Sequence, residues 1–156
     1  VYASPLQRAL MTGEHIASRN RCPLIEEPRL IERNFGEWEG LRMEEVEREQ
    51  PEKWRQWIEA PTRCEIPKCE TLESVLERSL VCAEQIIKRH SGKNVVIVSH
   101  ANPVKLLLMY YTGIPLDKIH SIRTDNCSYS ELHLHKGAMV LYTLNETTFL
   151  RERGLL

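Results

Sequence analysis

No apolar run in the 156 residues approaches the ~18 needed to cross a bilayer, and no stretch has the pattern of a secretory leader. An excess of one charge is also lacking. The 21 Lys and Arg face 22 Asp and Glu, a net charge of −1, which removes the electrostatic case for a nucleic-acid or membrane-surface partner. Paired cysteines are missing too. The five present (Cys22, Cys64, Cys69, Cys82 and Cys127) are odd in number and have no tight repeated spacing. They predict free thiols in a reducing compartment, with a cytoplasmic location expected, rather than a disulfide framework or a zinc site. Internal repeats and low-complexity tracts are absent. The remaining composition, 42% hydrophobic and 28% charged, is that of one ordinary domain, large enough to bury roughly 70% of its unfolded surface.

The most informative stretch is Asn94-Val95-Val96-Ile97-Val98-Ser99-His100-Ala101-Asn102-Pro103. An unbroken β-branched run predicts a strand buried on both faces, as in a parallel sheet covered by helices. Asn102 is placed to cap a following helix with Pro103 at its first position, and Val104 to Tyr111 is apolar enough to be buried. Ligands of open α/β sheets bind beyond the carboxyl ends of strands, and a helix N-terminus there favours an anion. His100 lies at that junction, although a surface histidine in a turn fits the stretch equally well.

Elsewhere, Ser4-Pro5-Leu6-Gln7 predicts a helix start with Ser4 as cap and Gln7 completing a capping box, running to about Arg19. Arg8 falls near the positive end of that helix, where a cation is disfavoured unless an anion binds there. A solvated surface arginine is the alternative. Leu24-Ile25 and Leu30-Ile31 predict an edge strand or extended loop. Glu32 opens a loop through Gly40 that carries Phe35, Gly36 and Trp38, where function and simple packing are both adequate readings. Short helices are expected over 43–48 and 51–58, then an irregular connection to Glu70, so that 41–70 forms a cap-like insertion. Trp54 and Trp57 either line a substrate mouth or seal a small satellite core. A long amphipathic helix is predicted from Thr71 to about His90, and a hairpin joins Glu131–His135 to Met139–Leu144, its first strand half-buried. The element order predicts an α/β fold: a three-layer sandwich whose mostly parallel sheet is covered by helices on both faces. His15, His90 and His120 are expected at the surface. His133 and His135 share a strand face, where a solvated face is a simpler reading than a metal site.

Arg8, Glu32 and His100 together sketch a phosphomonoester site. A guanidinium fork binds phosphate oxygens in pairs. An imidazole adds a hydrogen bond or acts as nucleophile, and a carboxyl group protonates a leaving alkoxide.

Four motifs in order strengthen this reading. Ser4 to Thr12 resembles the SxLxRAxxT stretch of the histidine phosphatase superfamily, the phosphoglycerate-mutase-like proteins. Leu30-Ile31-Glu32 with Gly36-Glu37-Trp38-Glu39-Gly40 resembles its LxExxxGxWEG loop. Glu70 to Arg78 is similar to its GExxxxxxxR segment, and Val96 to Asn102 to its second-histidine motif. The resemblance implies that Arg8, His100 and the Ala101 backbone bind phosphate and that Glu32 donates a proton. It implies a phosphohistidine intermediate, no metal or other cofactor, and a small-molecule phosphomonoester as the partner. Oligomeric state is not implied. The short 41–70 linker resembles the compact phosphatases, including α-ribazole phosphatases. Mutase-type transfer and a non-catalytic phosphate-binding role are the alternatives.

Three departures from the pattern matter. The family's Arg-His-Gly motif, which carries the nucleophilic histidine, is not in the sequence. Ala101 stands where glycine is usual, and Cys69 stands where glycine precedes Glu70. The chain opens on Val1 in mid-pattern, and the expectation is a single domain over 1–156 that belongs to a longer polypeptide, with a first strand and helix ahead of Val1.

Overall fold

The structure, a computed structural model, describes residues 1–154. In chain order its elements are β1 (Tyr2–Ala3), α1 (Gln7–Asn20), β2 (Ile25–Glu26), α2 (Met43–Glu49), α3 (Pro51–Glu59), α4 (Leu72–Arg89), β3 (Ile97–Val98), α5 (Ala101–Thr112), β4 (Tyr129–His135), β5 (Ala138–Glu146) and α6 (Thr148–Arg151). Single 3₁₀ turns lie at Pro28–Leu30 and Gly36–Trp38, with a longer one at Leu116–Ser121.

Two neighbouring residues set the layers. Strand geometry sends Tyr2 and Ala3 to opposite faces. Tyr2 packs with Leu30, Cys82 and Ile86, so α4 covers that face. Ala3 meets Gly13 of α1 on the other, where an added Cβ would lie 3.0 Å from the Ala3 Cβ. Gly13 is therefore needed for close approach of helix to sheet. This gives the helix–sheet–helix sandwich expected of an α/β chain. The sheet order is β2-β1-β3, all parallel, with Tyr2 opposite both Ile25 and Ile97. β4 and β5 form a separate antiparallel hairpin turned at Lys136 and Gly137, both at positive φ, as a two-residue hairpin turn requires. α5 packs on β5 and on α4. A second apolar cluster joins α4 and α5 through Leu72, Val75, Leu106 and Met109.

α4 follows its sequence pattern. Thr71 Oγ1 accepts the Ser74 N–H at 3.1 Å, and Leu72, Val75, Ser79, Cys82, Ala83 and Ile86 form one buried stripe. α2 and α3 also lie where the pattern puts them. Trp54 and Trp57 pack, partly buried, against Trp38, Val46, Cys64 and Ile66 in a third cluster, as the satellite-core reading expected, and Trp57 also lines a cavity.

Several expectations are corrected. The Val95–Ser99 run forms strand only at Ile97–Val98, and Val96 is 40% exposed. Among the described residues it pairs with β1 alone, and Ile97 and Val98 are each only partly buried. α5 begins at Ala101, not Pro103, with His100 as N-cap. Proline at its third position is tolerated because the first-turn N–H groups lack helical acceptors in any case. Ser4 does not cap α1, which starts at Gln7 after an uncapped Leu6. Leu134 of the hairpin is exposed rather than half-buried. His90 is only partly exposed and shares a 2.9 Å hydrogen bond with the Tyr2 hydroxyl. His133 is engaged by the Glu131 carboxylate at 2.7 Å and stacks on Tyr142.

Candidate active site

The site forms where the β1–α1 and β3–α5 turns meet, both at the carboxyl edge of the parallel sheet. Ser4 leaves β1 fully buried, and its Oγ lies 2.7 Å from Nε2 of His100. The hydroxyl also accepts the Leu6 N–H at 3.3 Å. This is why Ser4 is unavailable as a helix cap: its side chain is committed to a residue on another turn. His100 has an extended backbone and a buried ring.

Glu32 arrives from the loop after the Pro28–Leu30 turn. Its Oε1 accepts from the backbone N–H of Arg33 at 2.8 Å, from the Asn102 N–H at 3.2 Å and from Asn102 Nδ2 at 3.1 Å. A carboxylate at a helix N-terminus is favoured by the dipole and by the free N–H groups there. Glu32 thus caps α5 from 70 residues away, and Asn102 braces the carboxylate instead of capping the helix itself. Its Oε2 has no hydrogen-bond partner among the described residues.

Arg8 lies in the first turn of α1, exposed and without an ion-pair partner among the described residues. The electrostatics of His100 report its surroundings. Burial pulls its pKa below the ordinary 6.5, the Arg8 cation pushes the same way, Glu32 opposes, and Arg78 adds a further push downward. The charges of Arg8 and Glu32 both act on the His100 ring, so the three sequence-predicted side chains lie around one junction of the fold. Ala101 opens α5 without a positive φ, so alanine serves where the family pattern has glycine, and its backbone N–H belongs to the free first turn.

Arg78 closes the Glu70–Arg78 motif and Arg33 follows Glu32 in the chain, and the structure supplies a role for each. Arg78 donates through Nε and Nη2 to the Glu70 carboxylate at 2.7 and 2.9 Å, through Nη1 to the Arg29 carbonyl at 2.6 Å and through Nη2 to the Glu32 carbonyl at 3.3 Å. It pins the loop carrying Glu32 to α4. Arg33 is buried, donates to the Glu70 carbonyl at 2.7 Å and lies over the Phe35 ring. Gly36, at φ +58°, turns this loop against the Pro67–Cys69 backbone, leaving no room for a Cβ. A cavity of about 240 Å³ opens beside Ala101 and Asn102. His120, expected as a plain surface residue, sits on its rim. Its Nε2–H donates to the Trp57 carbonyl at 2.9 Å, and its ring packs edge-on against the indole.

The sequence profile of the histidine phosphatase superfamily (branch 1) matches residues 1–147. The chain belongs to that superfamily. This histidine phosphatase domain is 38% identical over 97% of its length to phosphoserine phosphatase 1 of Hydrogenobacter thermophilus, of which it covers 72%. It is 29% identical over its whole length to a metal-independent phosphoserine phosphatase of Arabidopsis thaliana, covering 65% of that protein. Among solved structures, Bacillus stearothermophilus YhfR superposes with a TM-score of 0.85 at 26% identity, over 94% of this chain and 73% of that one. The domain is a phosphatase of the histidine type.

Proposed function

We propose that this histidine phosphatase hydrolyses small phosphomonoesters through a phosphohistidine. The observation that carries the reading is the seating of the Glu32 carboxylate on the Asn102 N–H at the start of α5, next to the buried His100 ring that Ser4 holds at 2.7 Å, with Arg8 in the first turn of α1 on the adjoining turn. Arg8, His100 and the Ala101 N–H hold the phosphoryl oxygens and stabilise the charge that spreads over them in transfer. The nucleophile in this proposal is a histidine of the segment expected ahead of Val1. Its nitrogen forms a bond to phosphorus as the ester P–O bond breaks, and the Glu32 carboxyl gives its proton to the departing alkoxide. With Oε1 engaged by three donors, that proton sits on Oε2. Water then attacks phosphorus, returns a proton to Glu32 and frees inorganic phosphate. The 41–70 segment serves as a cap over the site.

Phosphate release from O-phosphoserine and p-nitrophenyl phosphate by the full native polypeptide tests the proposal. Arg8→Ala and His100→Ala are each expected to lower kcat by about 10²–10³-fold, the range for losing one preorganised charge-stabilising donor. Phosphate binding with no turnover in the native protein would support a non-catalytic binding role instead.

A further inference from the structure

The cavity beside Ala101 and Asn102 has an unusual polar lining. Arg33, Lys105 and His120 contribute to its wall, together with apolar groups such as Trp57, and no carboxylate lines it. Lys105, one turn along α5 from Ala101, is only partly exposed, and its ammonium has no hydrogen bond or ion pair among the described residues. A half-buried charge without a partner is costly, so such groups are found paired or facing a counter-ion. Burial pulls the Lys105 pKa below its ordinary value, with the distant Glu32 charge offsetting part of that. Arg33 is 4% exposed, with its Nε donating to the Glu70 carbonyl and its guanidinium over the Phe35 ring. His120 spends its Nε2–H on Trp57 and has its pKa lowered, first by burial and further by the Lys105 and Arg33 charges. The wall therefore carries positive charge near neutral pH from Arg33 and Lys105 together.

We infer that this cavity receives the organic part of the substrate and that Lys105, with Arg33, selects a phosphomonoester bearing a carboxylate. The inference rests on the phosphatase reading of the adjoining site, because the shared Ala101 and Asn102 are what place the cavity next to the phosphoryl pocket. Its volume corresponds to about eight waters at ~30 Å³ each, room for an acid of a few carbons. Lys105 supplies the attraction, Arg33 adds a second basic group to the wall, and the apolar groups around them lower the local dielectric that weakens such attraction. Lys105 is a specificity-determining residue here and takes no part in the proton or phosphoryl transfer.

The test compares O-phosphoserine with O-phosphoethanolamine, which differs by the carboxylate alone, using the full native polypeptide. The wild-type protein is expected to favour O-phosphoserine in kcat/KM. Lys105→Gln should lower that preference by about tenfold or more, the usual consequence of losing a charged hydrogen bond, chiefly through a higher KM for O-phosphoserine, and Lys105→Arg should retain it. An unchanged preference in Lys105→Gln, or an equal fall for both esters, overturns the assignment of Lys105. Hydrolysis of p-nitrophenyl phosphate but of neither ester overturns the specificity assignment alone, whereas hydrolysis of none of the three overturns the phosphatase reading as well.

Discussion

The Ser4 hydroxyl and the His100 imidazole, 96 residues apart in sequence, meet at 2.7 Å in the buried junction of the β1–α1 and β3–α5 turns. Ser4 directly follows β1 and His100 lies two residues past β3 as the N-cap of α5, so a single hydrogen bond ties the ends of two neighbouring parallel strands together where the site is built. Ser4→Ala leaves the His100 ring nitrogen without its buried partner. A loss of about 1–3 kcal/mol of stability is expected, measured by urea denaturation. Activity should fall as well, because the ring loses the contact that sets its orientation.

The same ring titrates abnormally. The folded-state pKa of His100 is held below 6.5, so the unfolded chain takes up this proton more readily than the folded one. Stability from this group is complete above the unfolded value and is lost as pH falls from there through the lower folded value. NMR titration of His100 should give a midpoint below 6.5, and saturating inorganic phosphate should raise that midpoint, since an anion favours the imidazolium. A midpoint unmoved by phosphate would place the anion elsewhere.

Arg78 and Glu70 form the partly buried pair that fixes the Glu32 loop. Burial works to raise the Glu70 pKa, yet the Arg78 hydrogen bond and charge outweigh it and hold the value below 4.5. The stabilisation is present above the unfolded pKa and disappears as pH drops through the folded one. Arg78→Met should cost roughly 2–3 kcal/mol at neutral pH. In guanidinium melts at a series of pH values, the gap between Glu70→Gln and the parent protein should close at acid pH.

Gly36 gives a steric prediction. A β-carbon there would run into the Pro67 carbonyl and the Cys69 amide while the backbone sits at φ +58°. Gly36→Ala should destabilise by about 3 kcal/mol or more, whereas Gly40→Ala, also at positive φ but with open space around it, should lose only the conformational term of about 1 kcal/mol. Thermal melts of the two variants check the contrast.

How much of this was readable beforehand varied by element. α4 was legible because its cap, Thr71, and its stripe are local, and local periodicity is what sequence displays most directly. Arg8, Glu32 and His100 were legible as candidates because motif spacing marked them, and the superfamily those motifs suggested is the one whose profile the chain matches. The cap of α5 was not. Nothing near Asn102 shows that its amide is satisfied by Glu32. Ser4 looked like an N-cap for the same reason, since its true partner lies on another turn. The run around Val95–Ser99 predicted burial on both faces, but an apolar run does not show how much of it pairs, and only Ile97–Val98 forms strand. The roles of Arg33, Arg78 and Lys105 depend on which long side chains converge, and that is a property of the packed molecule.

Trapping the phosphoryl group on the enzyme tests the central claim most directly. The native full-length polypeptide would be quenched during turnover of labelled O-phosphoserine and the modified residue mapped by mass spectrometry. The account predicts an acid-labile phosphohistidine in the segment ahead of Val1, greatly reduced in the Arg8→Ala variant. Turnover with no phosphohistidine, or with the label on a serine, a cysteine or His100 itself, would contradict it.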